Sequence, residues 1–195
     1  TTMTNRSTVN CPSVPQRVIS ERLVIRPSAR SDAPYLQKWW NDPHVMGPDG
    51  NTDGMQYDET DMEDWFRRYS DNQPYATHFV ICLRKPEEKP IGEFYIAYDD
   101  RPGCIGFALL IGETDLWDEG YDREALAAYA EALFASDCCG AMRMDIRRDN
   151  ERAIKMCESI GFEIEHIWAN GQFQTMLLTQ AAFELKQSSA AAAAS

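Results

Sequence analysis

Apolar residues along this chain recur first at strand spacing and then at helix spacing, and the alternation between the two divides it into elements. In residues 22–26 (Arg-Leu-Val-Ile-Arg) an apolar centre between arginines reads as a half-buried strand, which Pro27 ends. A helix is predicted next: Ser31 is placed to cap it, Pro34 is tolerable in its first turn, and Leu36, Trp39 and Trp40 share one face. Thr60-x-x-Glu63 has the form of a capping box, and Met62, Trp65, Phe66 and Tyr69 are spaced i, i+3, i+4, i+7, which predicts a second amphipathic helix. Residues 76–83 and 91–97 are β-rich runs joined by a polar, proline-flanked segment at 84–90, so they form an antiparallel hairpin. Asp99-Asp100-Arg101-Pro102-Gly103 then turns the chain into 104–111, a nearly unbroken apolar run of the kind that is buried on both faces of a sheet. A helix at 122–135, with Leu126, Tyr129, Leu133 and Phe134 inward, is followed by a strand at 142–147, a helix at 151–159, and strands at 163–168 and 172–178. The order βααββ then βαβαββ defines a mixed α/β sheet.

One folded unit is expected over 17–185, preceded by a flexible arm at 1–16 and followed by a low-complexity Ser/Ala tail at 186–195. The 44% apolar and 11% aromatic content supplies a sizeable core. No run approaches the roughly 18 apolar residues that cross a bilayer, and the first twenty residues lack a secretory apolar segment, so a cytoplasmic location is expected. The six cysteines, including the vicinal Cys138-Cys139, are scattered without zinc-ligand spacing, and reduced thiols are expected. His44, His78 and His166 are not grouped by spacing, so neither a metal nor a triad is inferred.

Charge narrows the partners. A formal net charge of -12 repels nucleic acid phosphates and anionic membrane surfaces. Residues 41–64 hold eight of the carboxylates and no Lys or Arg, which reads either as a solvated acidic loop or as a collar attracting a cationic amine.

The chemistry concentrates after the central strand. Ile111-Gly-Glu-Thr-Asp-Leu-Trp117-Asp-Glu-Gly120-Tyr-Asp-Arg-Glu-Ala125 is a strand end, a glycine-containing loop and a helix N-terminus, where backbone N–H groups and the helix dipole receive a phosphate. A second element follows on the next β-to-α turn, Asn150-Glu151-Arg152-Ala153-Ile154, closed by Gly161-Phe162.

In this order and spacing the motifs resemble the GNAT superfamily of N-acetyltransferases, in particular its branch of ribosomal-protein-alanine (RimJ/RimL-like) and related small-amine acetyltransferases. Residues 22–27 and Trp39-Trp40-Asn41-Asp42-Pro43-His44-Val45 are similar to that branch's first strand and helix. Trp117-x-x-Gly120-Tyr121-x-x-Glu124-Ala125 resembles its pyrophosphate loop, and Asn150 to Ile154 with Ser159-Ile-Gly161-Phe162 its last helix and turn. The resemblance implies an α/β GNAT acyl-CoA N-acyltransferase fold with a central mixed sheet of about seven strands and about four helices, acetyl-CoA as co-substrate, a primary amine of a small molecule or peptide as acceptor, and room for a homodimer. It implies that strands 104–111 and 142–147 splay apart, that pantetheine pairs with the freed backbone at Leu109, Leu110 and Ile111, and that the pyrophosphate meets Trp117, Asp118, Glu119, Gly120, Tyr121 and Asp122. Asn150 and Ala153 complete the implied cofactor set.

The loop departs from the family pattern, because Asp118 and Glu119 replace a Gly-Lys type of pair and Asp122 stands where a small residue is usual. Two accounts follow: the carboxylates point into water while Asp122 caps its helix, or tight CoA binding is lost and the fold serves as a binding or interaction protein. The family's usual glutamate is replaced by Cys104, which leaves Glu93, Asp99 or Asp100 as candidate bases and Cys157 as candidate acid. Tyr95, Trp168 and the Trp39-Trp40 pair are candidates for lining an acceptor pocket.

Overall fold

The computed structural model describes residues 14–70, 76–98 and 101–193. Asp99, Asp100 and Cys11 lie outside the described residues. Among the described residues there are eight strands, β1 (Val18–Ile19), β2 (Leu23–Pro27), β3 (Ala76–Leu83), β4 (Lys89–Tyr98), β5 (Cys104–Ile111), β6 (Ala141–Arg147), β7 (Glu163–Trp168) and β8 (Phe173–Thr179). Six helices accompany them, α1 (Ala33–Asn41), α2 (Pro43–Met46), α3 (Glu59–Trp65), α4 (Tyr121–Ala135), α5 (Glu151–Ile160) and α6 (Gln180–Ala193). The strands form one sheet in the order β1-β2-β3-β4-β5-β6-β8-β7. Only β5 and β6 run parallel, and α4 is the crossover between them.

The period-2 pattern of β4 sorts the two faces. Phe94 stacks on Tyr129 of α4 at 4.6 Å, and together with Phe79, Ile81, Ile105, Leu126 and Leu133 it belongs to the larger core. Its neighbours Glu93 and Tyr95 face the other way, toward the smaller core that α1 and α3 build from Leu36, Trp39, Trp40, Met62 and Phe66 over Val80 and Cys82. Tyr129 is wholly buried and donates its hydroxyl proton to the Pro15 carbonyl at 2.9 Å. Val14 is buried as well, so packing begins within the segment read as an arm.

Several local expectations are corrected. The cap of α3 is Asp58, whose side chain accepts from the Asp61 N–H while Asp61 reciprocates, so the capping box lies two residues before the Thr60/Glu63 pair. The stripe read as ending at Tyr69 stops earlier, because α3 gives way to a wider π-helical turn at Phe66–Ser70 that leaves Tyr69 46% exposed. Ser31 does not cap α1; Asp32 occupies that position, and its carboxylate binds Arg26 and the Ala29 N–H instead. The Ser/Ala segment is helical through Ala193, in keeping with the high helix propensity of alanine, and is anchored by Phe183 against Phe134. β5 is not buried on both faces: Ile105, Phe107 and Ile111 are buried, whereas Ala108 is exposed and Leu109 and Leu110 are half-buried.

Candidate functional site: a cleft between two diverging parallel strands

The half-burial of β5 has a topological cause. β5 and β6 are paired only at Cys104–Ala141, Ile105–Met142 and Gly106–Arg143, although β5 continues to Ile111 and β6 to Arg147. Beyond Gly106 the strands diverge, and the edge of β5 over residues 107–111 keeps unpaired backbone groups on that side while its other edge stays bonded to β4. Such an edge is a template for an extended ligand. The gap is a cleft of about 610 Å³, including its open mouth, lined by Leu109, Leu110 and Ile111 of β5, Trp117 of the loop before α4, Asp122 in the first turn of α4, Asn150 at the N-cap of α5, Arg152, Ala153 and Met156 of α5, and Val45 and Pro48 in and after α2.

The mouth is shaped by the loop before α4. Asp118 and Gly120 both take the left-handed conformation, with φ of 67° and 75°, and this turns successive N–H groups in one direction. The N–H groups of residues 118–122 have no acceptor among the described residues. Trp117 closes one side by donating its indole N–H to the Ile111 carbonyl at 2.8 Å. The side chains of Asp118 and Glu119 are exposed. Asp122 does not cap the helix from the N-cap position, which Gly120 holds. One Asp122 oxygen accepts from the Arg123 N–H, and the other lies 3.3 Å from Arg152 Nη2. The Arg152 guanidinium stands 4.8 Å over the Trp117 ring.

A second arginine secures the loop from behind. Arg22, immediately before β2, donates to the Glu119 carbonyl at 3.0 Å, lies 4.2 Å over the Tyr121 ring, and binds Glu124 through both its backbone N–H and its Nε. Glu124 also accepts from Ser20 Oγ at 2.7 Å. Burial pushes the Glu124 carboxyl up, but the hydrogen bonds from Ser20 and Arg22 outweigh it and hold the group below the usual glutamate range.

On the face of the sheet that carries α1 and α3, Glu93 is directly opposite Leu110 in the β4–β5 register. Both its oxygens lie 3.0 Å from Trp40 Nε1, and one lies 2.8 Å from His78 Nε2. Trp65 covers the imidazole at a ring distance of 4.8 Å, and Tyr95, whose phenol is pushed up by burial, is 6.4 Å away.

Of the residues singled out in the sequence, the fold brings Leu109, Leu110, Ile111, Trp117, Asp122, Asn150 and Ala153 to one cleft, and puts Asp118, Glu119 and Gly120 in the loop before α4 and Tyr121 at the first position of that helix. Asn150 also caps α5 by accepting from the Ala153 N–H. Glu93 lies one strand away from the cleft. Cys157 is not brought to it: the thiol is wholly buried, packs 4.0 Å from the Met144 sulfur, and is pushed up to about 12 by burial. Trp40 and Tyr95 surround Glu93, whereas Trp39 donates to Glu113 and Trp168 stacks on Phe173 at the far edge. Sequence reasoning missed Arg22, His78 and Arg152. Arg152 sits inside the motif that was read, but nothing in that motif points it at Asp122. The acidic stretch at 41–64 is largely engaged in structure, with Asp42, Asp58 and Asp61 capping helices, Glu63 paired with Arg30, and Asp64 paired with Arg67.

Diverging parallel strands, a strand edge left open and an anion-receptive loop opening a helix define an acyl-CoA N-acyltransferase type of fold. The family model described as acetyltransferase (GNAT) domain matches residues 22–163, and the chain belongs to that family. No curated protein sequence matches it significantly. Among solved structures it is similar to an uncharacterized protein of Bacillus halodurans (18% identity, TM-score 0.74, 90% of this chain and 95% of that one). It is also similar to AAC(6')-Ib in complex with ribostamycin and coenzyme A (22%, 0.71, 84% and 97%). A third similar structure is spermidine N-acetyltransferase from Vibrio cholerae in complex with CoA and spermine (15%, 0.70, 85% and 99%).

Proposed function

We propose that this protein transfers an acyl group, acetyl in the first instance, from coenzyme A to a primary amine, as a member of the ribosomal-protein-alanine-like branch of its family. The observation that carries the reading is the pairing of β5, which stops at Gly106 and leaves 107–111 open opposite the unpaired N–H groups of residues 118–122. The first suits an extended pantetheine arm and the second a pyrophosphate. The Leu109 N–H would polarise the thioester carbonyl, with Asn150 and Ala153 flanking the arm.

In the transfer, an ammonium acceptor passes one proton to Glu93, the freed nitrogen bonds to the thioester carbon, and the carbon–sulfur bond breaks. The departing thiolate takes up the second proton. Positioning supplies most of the acceleration. Similar structures that carry aminoglycosides or spermine support a cationic acceptor.

A binding role without turnover is the second reading, favoured by the exposed carboxylates of Asp118 and Glu119 beside the loop. Thermal unfolding with acetyl-CoA separates the two. At about 100 times its dissociation constant the ligand adds about 2.7 kcal/mol, which for a domain of this size raises Tm by roughly 5–10 °C. No shift at millimolar acetyl-CoA removes the transferase reading.

A further inference from the structure

The segment that opens α4 carries no cation of its own. Residues 117–122 hold three carboxylates and no Lys or Arg. The nearest arginines are committed to other side chains: Arg123 Nε donates to Ser159 Oγ at 3.1 Å, and Arg152 faces Asp122. The shape of the segment also has to be held from outside, because Asp118 takes a left-handed conformation that is costly for a residue with a Cβ. Glu119 lies between the two left-handed positions, Asp118 and Gly120, and its carbonyl oxygen is the atom that Arg22 Nη1 reaches at 3.0 Å.

That bond has a direction. Glu119 and Gly120 are joined by a trans peptide, in which C=O and N–H point opposite ways. With Arg22 on the oxygen side, the Gly120 N–H points away from the guanidinium, and it has no acceptor among the described residues. A cationic donor on the carbonyl polarises the whole peptide, which makes its N–H a stronger donor in turn. The guanidinium is itself fixed in place: Glu124 takes its Nε, the Tyr121 ring lies 4.2 Å from it, and Glu124 is held by Ser20 Oγ and by the Arg22 N–H.

We propose that Arg22 is a positioning residue for the pyrophosphate of the acyl donor and acts without touching it. It orients and polarises the 119–120 peptide, so that the Gly120 N–H presents to the phosphate the positive charge that the side chains of 117–122 do not supply. A residue 97 positions upstream thereby takes the part of a loop cation. This assignment rests on the acyltransferase reading for the identity of the donor, but inorganic pyrophosphate tests it separately.

The test titrates the full chain calorimetrically with three probes: inorganic pyrophosphate, acetyl-CoA, and S-acetylpantetheine, which keeps the arm and thioester but lacks the pyrophosphate. Arg22→Gln should weaken pyrophosphate and acetyl-CoA by about fivefold or more and leave S-acetylpantetheine within about twofold. Arg22→Lys keeps the charge but not the planar fork that spans Glu124 and the Glu119 carbonyl, and it should weaken the same two probes by about threefold. A merely structural role would move all three probes together, so an equal loss for all of them, or a loss for none, overturns the assignment. Should Arg22→Gln fail to fold, Arg22→Lys is read by the same rule. If acetyl-CoA binds the native protein and both variants alike, the role of Arg22 falls and the transferase reading stands. If pyrophosphate binds in an Arg22-dependent way while acetyl-CoA does not bind at all, the reverse holds. A native protein that binds neither anion loses both.

Discussion

Asp122 and Arg152 meet across the mouth of the cleft, with Oδ2 3.3 Å from Nη2. The carboxylate that looks hostile to a pyrophosphate is thus held by a cation contributed from α5, and that cation is itself stacked on Trp117. On the proposed reading an arriving phosphate would compete with Asp122 for Arg152, and the pair would tune cofactor affinity without abolishing it.

Asp122→Ala should tighten acetyl-CoA binding several-fold, because it removes an anion worth roughly 1 kcal/mol of repulsion and frees the guanidinium. Arg152→Ala should weaken binding by about tenfold or more. Isothermal titration at fixed ionic strength measures both. Weaker binding in Asp122→Ala would mean that the carboxylate serves to aim Arg152.

Acid should loosen the loop through Glu124. Its carboxyl is held below the ordinary value of 4.5, so its contribution to stability is fully present above that pH and is lost as pH falls through the lower folded value. Glu113, hydrogen-bonded by Lys38 and Trp39 against the upward push of burial, acts in the same direction. Tm should fall below about pH 4.5. Glu124→Gln should cost about 1–3 kcal/mol at neutral pH and show a shallower acid decline, because the linked proton is gone. Scanning calorimetry from pH 7 to pH 3 checks this, and parallel declines in parent and variant would contradict it.

Cys157 tests the assignment of a proton donor. Wholly buried on α5 and pushed up to about 12, it is placed to pack. Cys157→Ala should lower stability by about 1–2 kcal/mol and leave kcat within about twofold, and the native protein should not be labelled there by a thiol reagent at pH 8. A loss of kcat of about a hundredfold with normal acetyl-CoA binding would restore it as the acid.

The elements themselves were legible because their signals are local. The β-rich run at 76–83, the apolar run at 104–111 and the helical stripe of Leu126, Tyr129, Leu133 and Phe134 all depend on residues within a turn or two of one another. The capping box of α3 was misplaced because two overlapping patterns, Asp58-x-x-Asp61 and Thr60-x-x-Glu63, compete within six residues, and propensity alone does not choose between them. The burial of β5 was misread for a different reason. An apolar run looks the same whether its second face meets a neighbour or a cleft, and only the divergence from β6 after Gly106 distinguishes the two.

Sequence by itself determined the order of strands and helices, the loop that opens α4, and the seven cleft residues from Leu109 to Ala153 that those motifs carry. Tertiary structure alone decided which charges meet. Glu124 finds Arg22 across 102 residues, Asp122 finds Arg152 across 30, and Glu93 finds His78 across 15 through the register of β3 on β4. Spacing along a chain encodes periodicity, which builds elements. The few ångströms that make an ion pair or a proton path are fixed only when those elements pack.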